Sequence, residues 1–232
     1  MYKKFFKRFL DFFLSLFALI VLSPILIILI FSGIFFMRGN PFFFQKRPGK
    51  KDRDGKEQIF TLIKFRTMDN RKDKNGNFLP DDVRLNKYGR FLRSTSLDEL
   101  PELFNILKGD MSIIGPRPQL VRDMVFMTNE QRERHNVRPG LSGLAQVRGR
   151  NSINWEEKLD IDLEYIATIS LYRDIKIILE TVYKVIKREG ITEEGMETAE
   201  DYGDYLLSKG RVSEEEYIIK QKEAEELIRN SK

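Results

Sequence analysis

Residues 12–37 read FFLSLFALIVLSPILIILIFSGIFFM, and the fold turns on how this stretch meets a bilayer. None of its residues is charged, whereas everything after it is charged, mixed and soluble in character. The chain therefore reads as a soluble body fixed to a membrane. One straight helix over this stretch would run roughly 39 Å, against a hydrocarbon core of about 30 Å. Two features argue against simple spanning. Ser23-Pro24 sits at the centre, where proline removes a backbone donor and disfavours helical geometry in the residue before it. Basic residues flank both ends, with Lys3, Lys4, Lys7 and Arg8 before, and Arg38, Lys46, Arg47, Lys50 and Lys51 after. Positive flanks favour the cytoplasmic side, and here both ends do so. On the residues alone, a kinked ordinary span and a helix that re-enters the same face both stand, the span being the simpler.

The charge is unevenly placed. Residues 193–232 hold twelve Asp/Glu and six Lys/Arg, so this end is acidic while the rest of the chain is strongly basic. A basic body beside a membrane suits anionic headgroups, phosphorylated substrates or nucleic acid. The absence of cysteine excludes disulfides, thiolate catalysis and cysteine metal sites. His135 is the sole histidine, which leaves no material for a His-rich zinc site. The apolar run exceeds the usual ~7–15 residues of a signal-peptide core, so a permanent anchor is expected.

Met1 to Asp11 interleaves Phe5, Phe6 and Phe9 with cations, the composition of an interfacial helix start. Asp11 lies at helical spacing from Lys7 and Arg8 and is expected to pair with them. Ile59–Ile63 has strand character. Residues 49–56 superficially suggest a phosphate loop, but the glycine spacing is wrong and Glu57 follows Lys56, so a hairpin or surface loop is expected. Residues 68–84 form a polar loop with Asn75-Gly76 as a turn. Leu97, Leu100, Leu103, Phe104 and Leu107 recur at helical spacing, ended by Gly109. Rigid loops follow at Gly115-Pro116-Arg117-Pro118 and Arg138-Pro139-Gly140, with a helix between them over about 119–136. Residues 154–188 are expected to be helical in two parts. The second carries an apolar stripe, Ile175, Ile178, Leu179, Val182, Tyr183 and Ile186, which could pack on the core or lie on the bilayer; base rates favour the core, and the same helix could serve both. Ser213 and Glu216 fit a capping box, opening a charged helix expected as a solvated or partner-facing tail.

The candidate site is Arg93-Ser94-Thr95-Ser96-Leu97-Asp98-Glu99-Leu100-Pro101. Ser96-x-x-Glu99 and Thr95-x-x-Asp98 both match the capping box, so the bland reading of the two carboxylates is a helix cap. Pro101 favours a later start that frees at least one of them. A free carboxylate near Arg93, Arg117, Lys64 and Arg66 could hold Mg²⁺ against a diphosphate or attack phosphorus itself.

The string Lys64-Phe65-Arg66-Thr67-Met68, through Ser96–Pro101, to Gly115-Pro116-Arg117-Pro118 resembles the bacterial sugar transferases, the monotopic phosphoglycosyl transferases. Arg138-Pro139-Gly140, Ala145-Gln146-Val147 and Gly149-Arg150-Asn151 continue the likeness, as do Lys7-Arg8-x-x-Asp11 and Ser23-Pro24. Around Ile191–Gly195 the chain is more weakly similar to the enzymes that handle diacetylated bacillosamine. The resemblance implies a mainly α fold with a small β element (α+β). Residues 1–38 would be a re-entrant membrane helix broken at Ser23-Pro24 and set by Asp11. Residues 39–195 would be a cytosolic catalytic domain with amphipathic interfacial helices, followed by an acidic extension over 196–232. It implies Asp98 as nucleophile on a UDP-sugar, Glu99 with Asp98 as the Mg²⁺ side, and phosphate or substrate contacts from Lys64, Arg66, Arg93, Arg117, Gln146 and Arg150. Undecaprenyl phosphate would accept the phosphosugar at the cytoplasmic face of a bacterial inner membrane. No nucleic-acid partner is implied, while downstream glycosyl transferases or a second copy are. With the resemblance, re-entry becomes the favoured reading of residues 12–37.

Overall fold

The computed structural model describes residues 2–149, 153–187 and 200–231. It is mainly helical with two small two-stranded sheets among these residues. A turn of π-helix (Tyr2–Phe6) runs into α1 (Lys7–Met37), which continues for 31 residues. The break expected at Ser23-Pro24 is not an interruption, because Pro24 lies inside the helix. The reason is local: proline leaves the carbonyl four residues back without its N–H donor. Ser23 Oγ donates to that same carbonyl, of Ile20, at 2.8 Å.

Helix α1 lies along the body of the protein. Asp11, Ser15, Leu26, Leu29, Gly33 and Met37 are buried, and Ala18, Leu19 and Leu22 are partly packed. Steps of three and four residues put these on one stripe. A second stripe, including Phe13, Phe17, Ile20, Ile28, Phe31 and Phe35, is exposed. Both ends of the helix are fastened to the same body. Near the start, Arg8 donates to the carbonyls of Ile106 at 2.5 Å and Leu107 at 2.8 Å. Near the end, the Tyr88 hydroxyl donates to Leu29 O at 3.0 Å. A Cβ on Gly33 would fall 2.7 Å from that of Pro41, so only glycine lets the chain fold back this closely.

Asp11 does not pair with Lys7 or Arg8. Its Oδ1 accepts the backbone N–H of Ile113 at 3.0 Å, while Lys7 bonds Asp174 at 2.5 Å. A buried N–H must be paired, and the Asp11 carboxylate meets that need for the strand behind it.

Strands β1 (Phe42–Lys51) and β2 (Glu57–Phe65) form an antiparallel hairpin, Phe42 opposite Phe65. Asp52 Oδ1 accepts the N–H groups of Asp54 and Lys56, and Gly55 takes φ 80°, so residues 49–56 are the hairpin end. Then come α2 (Asp81–Arg84), α3 (Lys87–Thr95), a 3₁₀ turn (Leu97–Glu99) and α4 (Glu102–Lys108), closed by Gly109 at φ 104°. Strands β3 (Ser112–Ile114) and β4 (Gly140–Ser142) pair in parallel, an element the sequence does not announce. A Cβ on Gly140 would lie 2.1 Å from Gly115 N, which is why glycine faces glycine between the two rigid loops.

The helix expected over 119–136 is only α5 (Val121–Met124), followed by a 3₁₀ turn at Gln131–Asn136. Thr128 and Gln131 cap one another reciprocally, through Thr128 N–H to Gln131 Oε1 and Gln131 N–H to Thr128 Oγ1, and so begin a separate turn. Beyond β4 lie α6 (Leu144–Arg148), α7 (Trp155–Ala167) and α8 (Leu171–Lys187). Only part of the α8 stripe meets the core, where Ile178 packs against it. Ile175, Leu179, Val182 and Tyr183 are exposed, and Ile177 and Asp174 are the buried residues. With the exposed stripe of α1 they leave a large apolar surface, a mark of a membrane or partner face.

The acidic extension is not a free tail. Helices α9 (Tyr202–Ser208) and α10 (Glu214–Asn230) fold back, and Tyr202, Leu206 and Ala224 join Val121, Met124, Val125 and Trp155 in one core. Ser213 caps α10 as expected, accepting the Glu216 N–H at 3.1 Å. The acidic residues face outward from α10, while the buried side is apolar. Arg150 and Ile191–Gly195 lie outside the described residues.

Candidate active site

The site gathers at the junction of β2, α3 and α4. Ser96 ends α3 in the left-handed region at φ 55°, an uncommon conformation for a residue with a side chain. That turn swings residues 97–99 out of α3 and prevents either capping box from forming. Thr95 Oγ1 instead donates back to the carbonyls of Phe91 and Leu92. Asp98 and Glu99 are therefore not helix caps.

Glu99 is the hub. Its Oε1 accepts from Lys64 Nζ at 2.8 Å and from Arg117 Nη2 at 2.5 Å. Lys64 also reaches Glu102 Oε1 at 3.2 Å. Sequence reasoning missed Glu102, although Glu99 and Glu102 are three apart in a helical pattern and so share a face. Asp98 makes no ion pair among the described residues, while Glu99, Lys64, Arg117 and Arg93 surround it electrostatically. Arg93 Nε donates to Thr67 Oγ1 at 3.2 Å. Gln146 lines, with Glu99, an apolar cavity of about 320 Å³. Arg66 stands apart: its backbone N–H goes to Pro41 O at 2.7 Å and its side chain makes no ion pair with Asp98 or Glu99.

These contacts separate the neighbouring carboxyls. Burial and then the adjacent Glu99 charge push Asp98 up to about 6. Glu99 is held well below the usual carboxylate range: Arg117 and then Lys64 outweigh the effect of burial. Burial raises Glu102 to about 7. Carboxyls pushed apart in this way mark sites with divided roles. If Asp98 acts as a carboxylate, kcat/KM must rise as pH passes upward through about 6. A pH–rate profile checks this; a flat profile between pH 5 and 7 would remove Asp98 from the chemistry.

Arg117 is held from behind. Arg134 Nη2 donates to its carbonyl at 2.7 Å, and Arg134 is itself paired with Asp162 at 2.6 Å, both side chains being almost fully buried. On the other side Arg47 donates to Pro118 O at 3.1 Å. Asp162→Ala leaves the Arg134 charge buried and unpaired, and is expected to lower stability by about 3–5 kcal/mol. Denaturant unfolding of the detergent-solubilised protein measures this directly. The sole histidine is elsewhere: His135 Nδ1 meets Glu57 Oε1 at 3.2 Å, and burial pushes it down to about 4.

A buried acid–base cluster on a chain with an apolar helix long enough to cross a membrane can be set beside known proteins. A family model described as bacterial sugar transferase matches residues 2–188. The chain belongs to the bacterial sugar transferase family. The Bacillus subtilis sugar transferase EpsL is 44% identical over 197 residues, covering 84% of this chain and 95% of that relative. A UDP-glucose:undecaprenyl-phosphate glucose-1-phosphate transferase of Klebsiella pneumoniae is 40% identical over 194 residues, covering 77% of this chain and 40% of the relative. The undecaprenyl-phosphate galactose phosphotransferase of Salmonella typhimurium is 35% identical over 205 residues, 81% of this chain and 42% of the relative. This sugar transferase thus spans nearly all of EpsL but only about two-fifths of the longer relatives. The match ends at residue 188, so α9 and α10 of this sugar transferase lie beyond the family region they pack against.

Proposed function

We propose that the chain moves a sugar 1-phosphate from a UDP-sugar to undecaprenyl phosphate, with Asp98 as nucleophile. The observation that carries this is the division of labour in the site. Among the described residues Asp98 makes no ion pair, and it stands beside a carboxylate already neutralised by Lys64 and Arg117. An Asp98 oxygen attacks the β-phosphorus, the bond from that phosphorus to the bridging oxygen breaks, and UMP leaves with the bridging oxygen. An oxygen of undecaprenyl phosphate then attacks the same phosphorus and the Asp98–phosphorus link breaks. The product is the polyprenyl diphosphate sugar, and the Asp98 carboxylate is restored. Lys64, Arg93 and Arg117 neutralise the diphosphate as the charged nucleophile approaches, with Arg150 and Gln146 as further substrate contacts.

Among the described residues, the site's carboxyl oxygens without a hydrogen bond or ion pair are those of Asp98, Glu99 Oε2 and Glu102 Oε2. No group of three or more His, Asp or Glu among the described residues could enclose a cation unaided. Mg²⁺ carried on a diphosphate needs only one or two carboxylates, so this donor set fits, with Glu99 and Asp98 as the residues that would hold it. Bound there, Mg²⁺ would supply further neutralisation of the phosphate charge.

The fastening of both ends of α1 to one body supports a monotopic anchor, re-entrant in topology, with the catalytic domain at the cytoplasmic face of the inner membrane. Single cysteines at Lys4 and Lys51 in this cysteine-free chain are expected to label from the same side of sealed vesicles. Labelling from opposite sides would establish a span instead.

The relatives' names specify glucose and galactose, whereas the likeness near Ile191–Gly195 suggests an N-acetylated amino sugar such as diacetylbacillosamine. A panel of UDP-sugars with undecaprenyl phosphate tests both. UMP as product supports the proposal, UDP would indicate transfer of the sugar alone, and no nucleotide product would leave a membrane-tethered binding protein.

A further inference from the structure

At the far end of α4 from Asp98, a second basic site faces the start of the anchor helix. A cavity of about 410 Å³ is lined by Lys3, Lys7, Arg8, Lys50 and Arg138, with Asp11 as the carboxylate on its wall. Part of this charge is already used. Lys7 is paired with Asp174, and Asp11 spends Oδ1 on the Ile113 N–H. Arg8 and Arg138 donate to carbonyls at the end of α4, Arg138 Nε to Gly109 O at 2.7 Å. Carbonyls satisfy hydrogen bonds without neutralising charge. The Nη groups of Arg138 and the Lys50 ammonium have no partner among the described residues. Burial and the neighbouring Arg8 push the Arg138 guanidinium down, and the nearby Asp11 and Asp110 charges only partly offset them. A second cavity of about 300 Å³ shares Lys50 and Arg138 and adds Lys51 and Arg53, with Asp52 and Asp110 also on its wall. Lys51 and Arg53 come from the hairpin end, the stretch whose glycines and lysines imitate a phosphate loop.

The site is separate from the catalytic one. Helix α4 has seven residues, about 10 Å of rise, with Asp98 and Glu99 before its first turn and Arg8 on its last carbonyls. Its position also selects the ligand. The same turns that supply Lys3, Lys7 and Arg8 expose Phe5, Phe6 and Phe9, and aromatic rings alternating with cations belong at the headgroup layer.

We propose that this cavity binds the phosphate of an anionic phospholipid headgroup, seating the foot of α1 at a fixed depth in the leaflet. Lys50, and Lys3, whose ammonium donates only to the neutral Ile166 carbonyl at 3.3 Å, close on the phosphate, and Arg138 presents its Nη groups from the protein side. The site acts on membrane seating and takes no part in phosphosugar transfer.

The test uses the full chain in neutral detergent micelles, titrated with short-chain phosphatidylglycerol while the unfolding midpoint is followed. Lys3→Gln with Lys50→Gln is expected to weaken the apparent lipid affinity at least about fivefold, each basic residue near an anionic surface being worth about 1 kcal/mol. Its midpoint without lipid should match the parent, since neither residue is in the core, so a folding failure is recognised separately. Lys222→Gln on α10 should leave the titration unchanged. Equal titrations for the double variant and the parent would overturn the proposal, as would an equal loss in Lys222→Gln. Inorganic phosphate raising the midpoint as much as the lipid would overturn the lipid assignment. UMP release in micelles without anionic lipid should be the same for double variant and parent, which keeps this result distinct from the fate of the Asp98 mechanism.

Discussion

Asp98→Asn is expected to lower UMP release by at least about 10³-fold, equivalent to about 4 kcal/mol of transition-state stabilisation. The amide keeps the shape of the side chain and removes its nucleophilic charge. Folding should survive, because Asp98 makes no ion pair among the described residues whose loss would strand a buried partner. The direction of the stability change is also fixed. The folded state holds Asp98 up at about 6, so ionising it at neutral pH opposes folding, and a neutral amide relieves that opposition. Loss of turnover with an equal or higher unfolding midpoint is the expected pair of results. Turnover within tenfold of the parent would remove Asp98 as nucleophile. Mass spectrometry after adding UDP-sugar without acceptor should find the phosphosugar on the parent chain and none on the variant.

Glu99→Gln should cost about 10²-fold in kcat, by a different route. Glu99 is a shared acceptor for Lys64 and Arg117. An amide there leaves Arg117 without its charged partner and lets Lys64 move toward Glu102, so the phosphate contacts lose their positions. The Mg²⁺ concentration needed for half-maximal rate should rise with it; an unchanged requirement would sink Glu99 as a metal-side residue. The residual activity carries a second signature. The Glu99 charge is one of the two largest causes that raise Asp98, so removing it should move the acidic limb of the pH–rate profile to lower pH. A limb that stays near 6 would show that burial alone sets Asp98.

Much of the site could be read in the chain because its members travel in short rigid strings. Arg117 lies between two prolines, and Asp98-Glu99 lies between a helix end and Pro101, so local backbone preference already limits where they point. What local reading could not decide was the identity of each partner. Capping boxes at Thr95 and Ser96 are satisfied on paper, yet the left-handed Ser96 undoes both. Asp11 has cations one turn away but bonds an N–H 102 residues distant. Glu102 carries no motif of its own and becomes part of the site only because Lys64, on a strand, reaches it.

By itself, the sequence determined that this protein has an apolar helix long enough to cross a membrane, a mainly helical body with one hairpin, and paired carboxylates among basic residues. Periodicity, turn residues and charge placement are local, and they survive any tertiary arrangement. Only the tertiary structure decided that α1 continues through Pro24 and lies along the body, that most of the α8 stripe faces outward, and that the acidic tail is packed core. It also decided which of two adjacent carboxyls is neutralised and which stays free. Those outcomes depend on which buried donors and apolar faces lack partners once the chain is compact, a competition among groups far apart in sequence.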